Sequence, residues 1–451
     1  MMALGIWRIA VVAGVAGASA PAGWEAALTK ELEAIAAAET KKWNCSFSIA
    51  FHSGSGRAAA AAGDMGSGVA RVEDDFVWGS VTKVVTGASI LRLASEGALD
   101  LDGPMAPHVD AFLAAAAREP GWNQPWKSVG DLWGAANASA ATIRELLHMT
   151  SRVPDFDTAT PCSRKDPRCV PTDDLRKTLY ATLRGFTPVE LMAVPWVAHA
   201  WNPPCAARHQ GMAPFCYSST NFMLLGMILA AHFNATTFEA LDQAAFLPAA
   251  LRTSLKFAND GRPPSAYSPV HGIDRTTYNV PKGERNDRDD AAVPGVFSGW
   301  TASDVVGPPS AIAELAYAVY GAHAVAPKAY VDMMVPSDGE GGNDYEIYGL
   351  ATHNLGSRTG HPDSDWGVAY GHLGATYGYQ SIVAFFPKLN ATIAVATSME
   401  TDNQQQPADA LCLSYNKAID VLLQVTHNCT FTVGDYYSGG CKCDPVPAAA
   451  A

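Results

Sequence analysis

The stretch Phe76-Val-Trp-Gly-Ser-Val-Thr-Lys83 constrains this chain more than any other. A β-like run ends at Gly79, and a helical period begins at once, with Val84, Val85, Ala88, Leu91 and Leu93 recurring at helix spacing rather than alternating. Ser80 therefore falls at a helix start, where backbone N–H groups lack partners and the helix dipole favours negative charge. Lys83 follows one turn later on the same face, within reach of the Ser80 hydroxyl. Such a pair acts as nucleophile and proton acceptor when burial depresses the lysine pKa.

The remaining pattern predicts a scaffold for that corner. Residues Trp24 to Trp43 carry Leu28, Leu32, Ile35 and Ala36 at the spacing of an amphipathic helix. Residues 46–51 alternate, 52–56 supply turn chemistry, and 57–62 return as a second strand. A helix stop and turn follow at 96–102. Residues 104–250 read as helical stretches joined by Pro-rich loops, one helix covering 142–147. The segment 151–215 reads as an irregular lid or insertion, and 258–295 as an exposed excursion. Helical spacing returns from Ser310, followed by strands at 367–372, 380–386 and 392–398 and a helix over 407–425. The simplest packing is an antiparallel sheet built from both chain ends and flanked by terminal helices, with an inserted mostly helical lobe. The Ser80 helix then starts at the seam between the two.

The address is read from the ends and the cysteines. Residues 1–20 look like a secretory signal peptide: Arg8 closes a short n-region, 9–17 is apolar, and Ala18-Ser-Ala20 is a small-residue cleavage pattern. An uncleaved anchor is the alternative, and no later stretch of about 20 apolar residues exists to span a bilayer. A formal charge of −13 without a long Lys/Arg run disfavours nucleic acid and anionic membrane as partners. Sequons at Asn44, Asn137, Asn234, Asn390 and Asn428 point to a secreted, glycosylated, extracellular protein. In that compartment the nine cysteines read mostly as disulfides, with Cys162–Cys169, Cys205–Cys216 and Cys412–Cys429 as expected local pairs and at least one thiol left over. No CxxC pair with matching His spacing appears, so no metal is expected.

SxxK alone is weak, and it recurs as Ser414-Tyr-Asn-Lys417, which reads as chance. Order separates the two. Gly79-Ser-Val-Thr-Lys-Val-Val-Thr-Gly87 resembles the nucleophile motif of serine hydrolases related to class C β-lactamases and penicillin-binding DD-peptidases. Glu96-Gly-Ala-Leu-Asp-Leu-Asp102 looks like the turn that follows it. Thr142-Ile-Arg-Glu-Leu-Leu-His-Met-Thr-Ser151 is similar to the family's next landmark. Tyr217-Ser-Ser-Thr-Asn-Phe-Met-Leu-Leu-Gly226 resembles the Tyr-x-Asn motif and its helix. Tyr370-Gly-His-Leu-Gly-Ala-Thr-Tyr-Gly378 resembles the third motif in its His-x-Gly form. The resemblance spans roughly residues 25 to 425 in the correct order.

It implies a mixed α/β (α+β) fold of the β-lactamase/transpeptidase type. The expected organisation is a catalytic domain over 21–425, with a sheet lobe at about 21–80 and 290–425, a helical lobe at about 81–290, and a Cys/Gly-rich tail at 426–451. It also implies roles. Ser80 is the acyl-accepting nucleophile and Lys83 takes or relays its proton. Tyr217 is the partner base and acid, its phenolate favoured by neighbouring cations. His372 lines the far wall, Gly374 lets the strand backbone approach the substrate, and the N–H groups of Ser80 and Ala375 form an oxyanion hole worth about 3–4 kcal/mol per donor. No cofactor is implied.

Two departures stand out. Ser219 replaces the usual Asn and offers no NH₂ group; a Ser-x-Asn register through Asn221 is the alternative, though the Phe-Met-Leu-Leu-Gly flank favours Tyr217. His372 stands where a Lys would pair with a substrate carboxylate, which favours a small neutral ester or amide, or a peptide-like substrate lacking that carboxylate. The expectation is a secreted hydrolase working through an acyl-enzyme on Ser80. The alternatives are an inactive relative kept as a binding glycoprotein, or an acyltransferase. The oligomeric state has no signature in the sequence.

Overall fold

The computed structural model describes residues 20–443, apart from 123, 125, 158–178, 195, 199–200, 208–209, 278–282, 340–343, 357–364, 425–428 and 433–439. The strands in chain order are β1 (Phe47–Ser53), β2 (Gly56–Ala62), β3 (Phe76–Val77), β4 (Lys256–Phe257), β5 (Ile273–Asp274) and β6 (Arg288–Asp289). They continue with β7 (Val305–Gly307), β8 (His353–Asn354), β9 (Tyr370–Thr376), β10 (Tyr379–Phe386), β11 (Ala391–Thr397) and β12 (Met399–Glu400). The main sheet runs β2-β1-β11-β10-β9-β8 and is antiparallel throughout. Its two halves thus come from opposite ends of the chain, as the pattern requires.

Alternation explains the layers. In β1, Phe47, Ile49 and Phe51 point to a core shared with Trp24, Leu28 and Leu32 of α1 (Trp24–Trp43) and with Leu411 and Tyr415 of the terminal Gln405–Leu423 helix. Ala50, Val383 and Ala394 face the opposite core, with α2 (Thr82–Ser95) and the Ser219–His232 helix. Each fully buried Leu, Ile or Phe contributes about 1.5–3 kcal/mol. From Thr82 to Leu91 every residue of α2 is buried, so this helix is a core element on all sides and not an amphipathic one.

The corner before α2 is held rigidly. Trp78 donates its backbone N–H to Val305 O at 3.1 Å and its indole N–H to Gly307 O at 2.8 Å. Its carbonyl accepts from Ser381 Oγ at 2.9 Å. Gly79 then takes φ +52°, and a Cβ there would stand 2.8 Å from the Ala375 carbonyl oxygen. Only glycine fits a left-handed backbone pressed against another strand. A 3₁₀ turn over Gly79–Val81 leads into α2, so the α-helix begins two residues after Ser80.

Four expectations change. The third strand lies at Tyr370–Thr376 rather than 367–372, because residues Asp365–Gly367 form a 3₁₀ turn and pairing with β10 carries the strand through Ala375. The first hairpin closes on Gly54 and Ser55 alone, with Ser53 opposite Gly56. Residues 258–295 are no simple exposed excursion: β5 runs parallel to β12 and antiparallel to β6, and Asp274 and Asp290 are buried there with the single Tyr180 hydroxyl shared between them, at 2.9 and 3.0 Å, and Thr276 donating its N–H and hydroxyl to Asp274 Oδ1. Gly374 does not open the strand towards a substrate; a Cβ at that position would stand 2.1 Å from the Trp78 carbonyl oxygen, so its bareness lets β9 close on the Ser80 corner.

The disulfide Cys205–Cys216 is present, Cys412 is disulfide-bonded, and Cys45 is a buried free thiol. Cys162, Cys169, the Cys429 side chain, Asn428 and residues 1–19 lie outside the described residues, so the pairs and the leader proposed for them are not seen. Among the described residues no helix is long and apolar enough to cross a membrane.

Gly374→Ala forces β9 off the Trp78 carbonyl. It is expected to lower unfolding free energy by about 1–3 kcal/mol, read from denaturant midpoints at unchanged slope.

Candidate active site

Ser80 is the only residue between Phe76 and Leu91 that is not buried. Its neighbours in this stretch are packed, and Ser80 itself is half-buried. Lys83 Nζ donates to Ser80 Oγ at 2.8 Å, as one helical turn dictates. Tyr217 Oη donates to the same oxygen at 3.0 Å. Tyr217 is delivered by a different part of the chain: Cys216, tied to Cys205, donates its N–H to Met149 O, and the Ser219–His232 helix starts two residues after the tyrosine.

Lys83 is fully buried. Its remaining donors go to Ala302 O at 2.9 Å and Ser219 Oγ at 3.3 Å, and the ammonium lies over the rings of Tyr217 and Phe222 at 5.2 and 5.5 Å. Burial pulls its pKa down to about 7, while the carboxylates of Asp155 and Asp157 work against that fall. A carbonyl can only accept, so Ala302 O keeps one N–H in either charge state. The lone pair of the neutral amine is then directed at the hydroxyls, Ser80 among them.

The expected phenolate at Tyr217 is overturned. Burial pushes its hydroxyl well above the ordinary phenol value, outweighing the hydrogen bond to Ser80, and the two nearby Asp carboxylates push the same way. The site therefore holds a neutral phenol that donates, beside an amine poised to accept.

The other residues singled out from the sequence separate into groups. Ser219 stands at the site through its contact with Lys83 and is fixed by its backbone N–H on Asp155 Oδ1 at 2.9 Å. Ala375, half-buried, lies against Gly79 across the corner. Asn221 does not reach Ser80 among its hydrogen bonds: it is fully buried, accepting from Ser151 Oγ at 2.7 Å and donating to Leu146 O at 3.3 Å, and so ties the 142–151 landmark to the next helix. His372 is also fully buried and is no part of an exposed wall. Its Nδ1 lies 2.5 Å from Leu373 O and its Nε2 2.9 Å from Tyr348 Oη, and burial together with His353 and Lys83 holds it well below the usual histidine pKa.

Sequence reasoning missed Asp155, Asp157, Ala302, Tyr348 and His353. Asp157 Oδ1 accepts from Tyr377 Oη at 3.0 Å, joining the helical-lobe loop to the turn after β9. An acidic residue in a Pro-containing loop reads as solvated, and a carbonyl has no signature at all. Only Asp155, four residues past the Thr-Ser landmark, lay near a signal. Among the described residues no three His, Cys, Asp or Glu side chains gather to hold a metal ion.

A family model described as Beta-lactamase matches residues 51–411. A comparison with curated proteins found no match. Among solved structures, the chain is similar to a D-stereospecific amidohydrolase from Streptomyces sp., at 20% identity and TM-score 0.56, covering 88% of this chain and 98% of that one. It is similar to the D-amino acid amidase from Ochrobactrum anthropi SV3 complexed with D-phenylalanine, at 16% identity and TM-score 0.60, covering 87% and 99%. It is also similar to a penicillin binding protein from Bacillus halodurans, at 19% identity and TM-score 0.53, covering 83% and 97%. At such identities the likeness is one of fold.

Burial of Lys83 costs stability in a pH-dependent way. With the unfolded group near 10.5 and the folded one near 7, the unfolded chain binds more protons between those values, so stability rises with pH across that window. Lys83→Met removes the penalty. It is expected to unfold at a higher temperature than the wild type at about pH 6, with the gap closing as pH approaches about 10, in thermal scans across pH.

Proposed function

The chain belongs to the beta-lactamase family of serine hydrolases, and from that premise we propose that it cleaves small esters or amides through an acyl-enzyme on Ser80. One observation carries the reading: Lys83 Nζ and Tyr217 Oη converge on Ser80 Oγ at 2.8 and 3.0 Å, and the lysine is pulled to about 7.

The neutral Lys83 amine accepts the Ser80 proton as Oγ bonds to the substrate carbonyl carbon. The carbonyl electrons move onto oxygen, which the N–H groups of Ser80 and Ala375 receive. Collapse expels the alkoxide or amine, protonated by Tyr217 Oη, and leaves the acyl group on Ser80 Oγ; the phenolate recovers its proton from the Lys83 ammonium through the Ser219 hydroxyl, which contacts both, so the amine is neutral again. Water then attacks the acyl carbon with Lys83 again as base. Ser219 keeps a contact with Lys83, which supports an active site over the inactive-glycoprotein reading.

The neutral, buried His372 offers no cation for a substrate carboxylate, which supports neutral esters and amides as substrates. The amidases among the similar structures make amino-acid amides the first compounds to test. The carboxylates of Asp155 and Asp157, close enough to influence Lys83, suit a substrate carrying an ammonium group.

Secretion belongs to the same reading. The Cys205–Cys216 disulfide and the sequons support an exported glycoprotein. Asn44, Asn234 and Asn390 are exposed at left-handed turns, whereas Asn137 is half-buried with its amide donating to Trp133 O at 2.9 Å.

A fluorophosphonate probe is expected to form one adduct on Ser80, located by mass spectrometry and absent from Ser80→Ala. Its rate should climb with pH through a midpoint near 7 and fall about 10²-fold or more in Lys83→Met. Failure of the wild type to label overturns the proposal, and faster turnover of a chromogenic β-lactam than of neutral p-nitrophenyl esters or amino-acid amides overturns the substrate class. In the secreted protein, glycopeptide mapping is expected to find glycans at Asn44, Asn234 and Asn390 and none at Asn137.

A further inference from the structure

The histidine of the third motif has no route to a substrate, yet it is not isolated. Because a carbonyl cannot donate, the 2.5 Å contact with Leu373 O assigns the His372 proton to Nδ1. Nε2 is then the acceptor, and the 2.9 Å contact from Tyr348 Oη is a donated hydrogen bond. That bond orients the Tyr348 ring, which meets the His353 ring edge-on at 4.6 Å between centroids and the Tyr217 ring edge-on at 6.3 Å. His353 touches His372 at 4.7 Å and lies nearly parallel to Tyr217, 6.0 Å away at 16°. Phe215 closes the cluster at 6.3 Å from Tyr217.

Tyr217 needs such support. Its polar contacts, with Ser80 and Ser219, are all at the hydroxyl tip, and the contact with Ser80 is useful only if the ring cannot swing. Offset and edge-to-face aromatic contacts are each worth about 0.5–1.5 kcal/mol beyond their area, and they are directional. We propose that His372, Tyr348 and His353 form a positioning relay that fixes the Tyr217 ring so that its hydroxyl stays on Ser80, with His353 as the residue in direct contact. The relay rests on the acyl-enzyme reading above. It joins β9 to the Tyr motif and assigns His372 a structural route to the site in place of substrate contact.

The test uses the full chain and the fluorophosphonate probe. His353→Ala is expected to slow maximal labelling of Ser80 by up to about 10²-fold, leaving the half-saturating probe concentration and the pH midpoint set by Lys83 unchanged. His353→Phe, which restores a flat ring, is expected to recover most of that rate. A crystal structure of His353→Ala should show Tyr217 Oη withdrawn from hydrogen-bond distance of Ser80. If His353→Ala fails to fold, Tyr348→Phe deletes only the hydroxyl and should slow labelling several-fold, roughly what one lost hydrogen bond predicts. A folded His353→Ala that labels at the wild-type rate with Tyr217 in place overturns the relay. A wild type that does not label defeats the acyl-enzyme reading instead, and the Tyr217–Ser80 distance in His353→Ala then decides the relay by itself.

Discussion

The burial of Lys83 is the interaction on which the rest of this molecule depends. An ammonium removed from water is costly unless its donors are satisfied, and each of its three hydrogen bonds goes to a different segment: the Ser80 turn, the start of the Ser219–His232 helix and the carbonyl of Ala302. That cost is what brings the amine's pKa down to about 7, as the proposed role of base requires. Relieving it with water or a carboxylate in contact would raise the pKa and remove the acceptor. Asp155 and Asp157 sit close enough to moderate the fall without cancelling it.

Much of the scaffold can be understood as keeping that arrangement dry and stationary. The α2 helix is buried on every side along most of its length, so it has no solvated face on which to rotate. Trp78 is pinned to β7 and to Ser381, and two bare glycines allow backbone to meet backbone between the Ser80 corner and β9. The main sheet brings β9 there only because β1 pairs with β11, which closes the chain's two ends into one layer. Loop 149–157 is stitched to the Tyr motif by Ser151 on Asn221, by Ser219 on Asp155 and by Phe156 on Thr220. The proposed acid–base function of this site thus depends on packing across several segments.

Division of labour between the two partners of Ser80 follows from the same burial. Removing water disfavours the charged form of each group, which lowers an amine and raises a phenol. The same desolvation therefore separates Lys83 and Tyr217 into acceptor and donor. His372, in the same dry region, stays neutral for the same reason and serves as a hydrogen-bond acceptor for Tyr348.

What the sequence alone determined is local or periodic. The helix at Trp24–Trp43, the alternating strands and the Ser80-to-Lys83 spacing all follow from residues a turn or a pleat apart, and the order of motifs identifies the family. The Cys205–Cys216 pair was legible because its loop is short. Tertiary structure decided the rest. Asn221 and His372 sit in motif positions yet face inward, because strand and helix faces are assigned only when the lobes pack. Tyr217 carries a proton because of what surrounds it, and no neighbour in sequence reports that environment. Residues 258–295 looked solvated by composition, but a tyrosine over ninety residues away shares its hydroxyl between the segment's two buried carboxylates. Spacing along a chain fixes which groups lie within one turn of each other; dielectric and orientation depend on segments that meet only in the fold.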